Sequence, residues 1–421
     1  MIPALLPGVR DVGAKTFRHG THRAMPPADT VHRIRPLMQA MGITRVANIT
    51  GLDRIGIPVV MVCRPNSRSL AVSQGKGLDL AAAQASGLME SVESYHAERI
   101  ALPLTLGSYA DLRCSRRLLD PMRLPRREGG GYDAALPLLW IEGFDLLRQE
   151  HAWVPYELVH TNFTLPLPAG SGCFPASSNG LASGNHRLEA ISHALCELVE
   201  RDATTLWLLR DEDERRASRI DPATIDDAGC REILARYARA DIDVAIWETT
   251  SDIGLPAFTC MIAERTPEPR RPQPAHAGMG CHPARHVALL RALTEAAQVR
   301  LTVIAGARDD VFRAEYERGG HPDTLGRLRE HLRISGPLRD YHDVPTFEGE
   351  TFEADVAWEL ERLRAAGIEH AVMIDLTRPE FELPVVRVVV PGLEGVSWVP
   401  GYVFGARAAE VLLERSERLE L

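Results

Sequence analysis

The chain has 421 residues, 45% of them hydrophobic, enough for a large buried core set out as one large domain or two to three smaller ones. Charged residues make up 25%, and the net charge of −9 is not gathered into a basic stripe, which argues against nucleic acid; an anionic nucleotide would be met locally, by a few Arg and Lys and by bound cations. Seven dispersed cysteines without a C-x-x-C pair, no cationic n-region, and no apolar run of about 18 residues exclude a disulfide scaffold, a secretory signal and a membrane span, so a cytoplasmic location is expected.

Pro27 to Gly42 has helical spacing, and after the turn chemistry of Gly51 to Gly56 comes a strand-like run, Pro58 to Cys63. Leu78 to Arg99, rich in Ala, Leu, Met and Glu, is a long predicted helix. Pro121 to Gly131, with its Pro, Arg and three consecutive Gly, is the expected exposed loop of the first half. Strands are predicted at Leu138 to Ile141 and Trp153 to Val159, and a proline in or beside each argues for edge positions. Asn185 to Leu209 and Ala284 to Ile304 are the second and third long helices. Between them fall a helix near Pro222 to Ala238 and strands near Ile242 to Thr249 and Pro256 to Ala263, followed by Thr266 to Pro274, whose prolines mark a hairpin tip or surface loop. A helix around Phe352 to Ala366, strands near Ala371 to Asp375 and Pro384 to Val390, and a helix after Phe404 complete a mixed α+β chain.

The three long helices carry polar stripes. Ser86, Glu90 and Glu93 stand at i, i+4 and i+7 of the first, Glu189, His193, Glu197 and Glu200 at i, i+4, i+8 and i+11 of the second, and Arg291, Glu295 and Gln298 at i, i+4 and i+7 of the third. Aligning Glu90-Ser91-Val92-Glu93 with Glu197-Leu198-Val199-Glu200 gives a weak internal repeat, each copy preceded by a Gly-containing turn, Ser73 to Gly77 and Ser177 to Gly180. Such a turn can offer backbone N–H groups to an anion, and Lys76 adds a charge. One pair of glutamates alone would be an ordinary solvated face. Here the flanking positions are apolar, and carboxylates on an otherwise buried helix repel one another unless a cation lies between them. Oxygen ligands of this kind suit Mg²⁺, which prefers a few carboxylates plus phosphate oxygens and water. Arginines would then meet phosphate directly, the candidates being Arg18, Arg23, Arg201, Arg291 and Arg300.

These motifs resemble the YcaO family, enzymes that use ATP to activate a backbone amide. The resemblance rests on Ser73-Gln74-Gly75-Lys76-Gly77 with Ser86-x-x-x-Glu90-x-x-Glu93, on Ser178-Asn179-Gly180 with Glu189 and Glu197-x-x-Glu200-Arg201-Asp202, and on Ala292-Leu293-Thr294-Glu295-x-x-Gln298-x-Arg300, within Arg18 to Asp310. It implies a mixed α/β fold with the nucleotide held between glutamate-bearing helices, magnesium on Glu90, Glu93, Glu197 and Glu200, nucleotide contacts from Ser86, Asn185 and Glu189, and Arg23 and Arg201 near the phosphates. Arg18, Lys76, Glu295, Gln298 and Arg300 complete the expected site, with the glutamates and Arg201 as the catalytic set. Consistently, no G-x-x-x-x-G-K-[ST] and no kinase signature occurs.

The resemblance also sets expectations for organisation. Residues 1–60 would contribute to the nucleotide site, 61–320 form the ATP- and magnesium-binding core, and 321–421 complete the same catalytic unit. The proline-rich P-x-P-x-P tail of azoline-forming members is missing from Arg407 to Leu421, and no leader-peptide domain is evident; the N-terminal text looks more like stand-alone members that work with a TfuA-type partner in thioamide formation. A peptide or protein substrate, a sulfur donor and a homodimer are expected. The alternatives are an azoline-forming cyclodehydratase and a non-catalytic nucleotide-binding partner protein. His193 reads first as a hydrogen-bonded helix histidine, Cys281-His282 as structural, and His19 and His22 equally as phosphate contacts or surface loop.

Overall fold

The structure is a computed structural model and describes residues 11–266, 273–310, 313, 332, 338–395 and 401–419. After α1 (Pro27–Ile34), strands β1 (Arg45–Asn48), β2 (Val59–Cys63) and β3 (Val72–Lys76) form an antiparallel sheet in that order, and α2 (Leu80–Ala97) packs back across β3. Asp79 caps α2 by accepting the Ala82 N–H at 2.8 Å. Next come β4 (Leu104–Ser108), α3 (Tyr109–Leu112), β5 (Arg126–Arg127), β6 (Pro137–Asp145), β7 (Glu150–Pro155), β8 (Leu181–Ser183), and the longest helix among the described residues, α4 (Arg187–Leu209). Helices α5 (Glu212–Ala217) and α6 (Ala228–Arg239) lead to a second antiparallel three-stranded sheet, β9 (Ile242–Glu248), β10 (Ala257–Glu264) and β11 (His276–Cys281), against which α7 (Arg285–Ala305) lies. The chain then adds α8 (Phe352–Ala365), β12 (Val372–Asp375), β13 (Val385–Val389), β14 (Tyr402–Val403) and α9 (Ala406–Leu419).

A six-stranded sheet in the order β4-β6-β12-β13-β8, with β7 also on β6, joins strands from both halves of the sequence. The edge position expected for the strand at Leu138 to Ile141 is therefore wrong. β6 is an interior strand, paired with β4, β7 and β12. Its proline, Pro137, is the first residue of the strand, where a missing N–H breaks nothing further along. β7 does stay at the edge. The expected loop Pro121 to Gly131 is likewise more than a loop, because Pro121 and Leu124 are buried and Arg126 and Arg127 pair with β14. The prolines of Thr266 to Pro274 fall between two strands that do pair as a hairpin, although residues 267–272 themselves lie outside the described residues.

The segment Ser73 to Gly77, read from sequence as a turn, is mostly strand β3. Small residues let a helix backbone lie directly on the strand, and this is why the sequence looked turn-like. A Cβ on Gly75 would fall inside contact distance of the Ala83 carbonyl oxygen and the Gly87 nitrogen on α2. β11 repeats the device, since side chains on Gly278 and Gly280 would strike the backbone of α7 at Ala292 and Ala288. Gly75→Ala should therefore push α2 off the first sheet and cost about 3 kcal/mol. Urea unfolding with an unchanged midpoint would refute this close backbone contact.

Three cores meet along the three long helices. Leu88 and Val92 of α2 enter one, Leu195, Cys196 and Val199 of α4 a second, and Leu289, Leu293 and Ala296 of α7 a third. Each helix thus spends its apolar side on its own core, leaving its polar stripe between the cores. No helix among the described residues is long and apolar enough to cross a membrane.

Candidate active site

The stripe glutamates come from different helices, and backbone N–H groups of the strands and loops that pack against those helices hold them. Glu90 accepts the Gln74 N–H of β3 at 3.3 Å. Glu93 accepts both the N–H and the hydroxyl of Ser183 on β8, at 2.8 and 2.7 Å. Glu200 accepts the Cys281 N–H at the end of β11 at 3.0 Å, and Glu295 accepts the Met279 N–H of the same strand at 3.3 Å. Gly180, in the Ser-Asn-Gly turn, donates its N–H to Glu197.

The internal repeat is clearer here than in the sequence. The spacing that separates Gly75 from Gly280 also separates Gln74 from Met279, Glu90 from Glu295 and Glu93 from Gln298. In both copies, the residue before the glycine donates its N–H to the first acid of the helix stripe. The repeat thus relates β1-β2-β3-α2 to β9-β10-β11-α7, rather than α2 to α4 alone.

The carboxylates crowd one another. Burial, reinforced by Glu197, pushes the Glu90 carboxyl up to about 7, its bond from Gln74 notwithstanding. Burial pushes Glu93 up to about 8, and the charges of Glu90 and Glu197 add to this. Glu197 and Glu200 are raised by burial as well, with Arg201 working against the shift in both. Glu295 goes the other way. Burial disfavours its charge, but the Lys76 ammonium 2.5 Å away and Arg201 beyond it hold the carboxyl below its usual range. Arg201 lies 3.9 Å from Glu200. Arg291 bonds His193 at 3.0 Å, and burial together with that guanidinium keeps the imidazole neutral, so His193 is the hydrogen-bonded helix histidine.

The remaining expected residues divide. Arg23 reaches Glu189 at 3.4 Å, and Glu189 also accepts the N–H groups of Ala24 and Asn185. The Asn185 amide nitrogen donates to Thr30 at 2.9 Å, while its Oδ1 is buried without a partner. Ser86 is half-buried one turn before Glu90, and Gln298 half-buried one turn after Glu295. Two candidates sit differently from expectation. Arg18 turns outward to Glu350 at 2.9 Å. Arg300 is spent on two buried carboxylates, Asp53 at 2.6 Å and Glu264 at 2.9 Å, which pin α7 to the loop after β1 and to β10. Neither is placed as a free phosphate-binding arginine.

Sequence reasoning missed Arg387. It lies on β13, is 3% exposed, and its charge faces Glu197. The one signal was a single arginine inside the run Val385-Val386-Arg387-Val388-Val389.

These residues suit a magnesium nucleotide. Four raised carboxylates are short of positive charge, while Asn185 Oδ1, Asn179 Oδ1 and two nitrogens of Arg387 are buried without partners. Among the described residues no three of these carboxylates come within 4.8 Å of one another, so the protein does not cage an ion by itself. Mg²⁺ retains water and phosphate oxygens in its shell and needs no such cage.

A second cluster, His22, His282 and Asp355, does draw three ligand-type atoms within 4.8 Å. It already holds a cation: the buried Lys15 ammonium is 2.6 Å from Asp355 and donates to the Gly349 carbonyl at 2.8 Å. His282 Nδ1 accepts the Ala284 N–H at 3.0 Å, which puts the proton of the neutral ring on Nε2 and leaves no lone pair there. The cluster therefore fastens the N-terminal segment to α8, and His22 is buried rather than part of a surface loop.

Residues 74–394 match the family described as "YcaO cyclodehydratase, ATP-ad Mg2+-binding". A protein of Rhizobium leguminosarum bv. trifolii named "Uncharacterized protein in tfuA 3'region" is 39% identical over 375 residues, covering 88% of each chain. Among solved structures, a heterocyclase in complex with substrate and cofactor superposes with a TM-score of 0.76 at 23% identity over 96% of this chain, which spans 58% of that protein. YcaO from Methanopyrus kandleri, bound with AMPPCP and Mg²⁺, superposes with a TM-score of 0.70 at 24% identity over 91% of this chain and 95% of that one. At these identities the two structures establish the fold.

Proposed function

The chain belongs to the YcaO family, whose description names ATP and Mg²⁺ binding, and on that premise we propose that it activates a peptide backbone amide for replacement of its oxygen by sulfur. The observation that carries this is the presentation of Glu90 and Glu93 from α2 and Glu197 and Glu200 from α4 to one shared, desolvated space. Bound magnesium ATP supplies a phosphoryl group that turns a poor leaving oxygen into a good one. The four glutamates would hold the cations, and the backbone N–H groups of Gln74, Ser183, Gly180 and Cys281 keep the carboxylates from swinging out to water. Arg201 and Lys76 offset charge on the Glu200 and Glu295 side, and Asn185 with Glu189 orients the nucleotide at the N-terminal end of α4. No protein nucleophile is needed.

Thioamide formation with a TfuA-type partner and an external sulfur donor is favoured by the relative named for the tfuA 3' region. Azoline formation, in which a substrate Cys, Ser or Thr attacks, is favoured by the family's cyclodehydratase description. Incubation with cognate peptide, ATP and sulfide should raise the peptide mass by the difference between sulfur and oxygen. A loss of water selects the azoline reaction. If no phosphate release depends on peptide and ATP together, the chain is a nucleotide-binding scaffold and not either enzyme. A homodimer is part of the same proposal.

A further inference from the structure

Arg387 has no ion-pair partner among the described residues, although its side chain is buried. Its Nη2 donates to the Ser177 carbonyl at 3.0 Å, while Nε and Nη1 have no acceptor. A desolvated guanidinium with two idle nitrogens is costly to keep unless an anion meets it. Burial lowers its proton affinity only to about 10, so the charge persists at neutral pH.

The surroundings define where that anion would lie. β13 fixes Arg387 between β8 and β12, opposite Leu181 and Ile374. The Ser177 to Gly180 turn grips the guanidinium at one end and donates to Glu197 at the other, and Val388 locks the turn by donating to the Gly180 carbonyl at 2.8 Å. Asn179, inside that turn, keeps a buried Oδ1 without a partner, and His160, whose Nδ1 accepts the Asn162 N–H, holds its Nε2 buried and idle within reach of the Arg387 charge. Among the described residues Glu197 is the one carboxylate whose charge acts on Arg387, and Glu197 also feels Arg201 and Arg291, which act on Glu200 as well. Arg387 comes to Glu197 from strand β13, whereas Arg201 and Arg291 come from helices α4 and α7. Glu197 stands eight residues, about 12 Å, along α4 from Glu189, the acid that the proposed function gives to orienting the nucleotide.

We propose that Arg387 is a binding residue for the terminal phosphoryl group of the bound nucleotide, reaching it across Glu197 from strand β13. The inference rests on the magnesium nucleotide reading of the glutamate site. Because a charged guanidinium contact to phosphate is lost in methionine while lysine keeps the charge, Arg387→Met should bind Mg²⁺-AMPPCP about 30-fold more weakly, and Arg387→Lys about fivefold.

Titration calorimetry on the full chain with AMPPCP, ADP and inorganic phosphate tests this. Expected is a loss for AMPPCP with ADP affinity within threefold of wild type, in variants whose thermal midpoints show them folded. Equal losses for AMPPCP and ADP would overturn the proposal, since a merely structural arginine would affect both. Unchanged AMPPCP binding would overturn it as well, as would an Arg387-dependent site for free phosphate that AMPPCP does not occupy. Should Arg387→Met fail to fold, the AMPPCP to ADP ratio of Arg387→Lys decides alone. A wild-type chain that binds no magnesium nucleotide fails the underlying reading, whereas a wild type that binds beside an unaffected Arg387→Met fails only this inference.

Discussion

Glu197→Gln abolishes ATP-dependent turnover, by at least about a thousandfold, and leaves the protein folded. Glu197 raises the proton affinity of Glu90 and Glu93, neighbours Glu200 on its own helix, and faces Arg387. A cation shared between α2 and α4 therefore needs its charge most. Glutamine keeps the shape and the acceptor for the Gly180 N–H but cannot supply the charge. Stability should hold or rise, because the substitution removes a carboxylate whose charged form burial already disfavours. Near wild-type turnover in a folded Glu197→Gln variant would take the glutamates out of the mechanism. A variant that loses both turnover and structure would call for Glu93→Gln as the cleaner substitution.

Binding of magnesium nucleotide near pH 7 releases at least about one proton, and the affinity rises with pH up to about 8. The Glu90 and Glu93 carboxyls, raised to about 7 and about 8, hold protons at neutral pH that a cation must displace. The same shifts fix the sign of the stability profile without cation. The folded protein binds these protons more tightly than the unfolded chain does, so this contribution is fully present below about 4.5 and is lost as pH rises through about 7 and 8. The shifts are worth at most about 3 kcal/mol for Glu90 and about 5 kcal/mol for Glu93, less for the solvent that reaches these half-buried groups. Magnesium nucleotide should cancel the loss. Calorimetry in buffers of different ionisation enthalpy counts the protons, and melting curves from pH 5 to about 9 give the profile. No proton release, together with a melting point that climbs above pH 7, would show that the glutamates are already compensated.

The helices and their stripes were legible in the sequence because a helix is a local object. Its periodicity puts Glu90 with Glu93, and Glu197 with Glu200, on one face whatever the rest of the chain does. The family resemblance was legible for the same reason, being carried by short motifs. Strands β3, β8 and β11 were not: Ser73 to Gly77 reads as a turn, Leu181 to Ser183 and His276 to Cys281 drew no assignment, and the glycines of β3 and β11 make sense only once a helix is laid on them.

What the sequence determined alone is the type of chemistry available: carboxylates in apolar helices, with too little nearby positive charge to do without a cation. Only the tertiary structure decided which donors hold those carboxylates, why Arg18 and Arg300 are taken elsewhere, and why an arginine from the far end of the chain stands beside Glu197. Those outcomes depend on strand pairing and on close backbone approach between segments distant in sequence. No periodicity within a single segment encodes them.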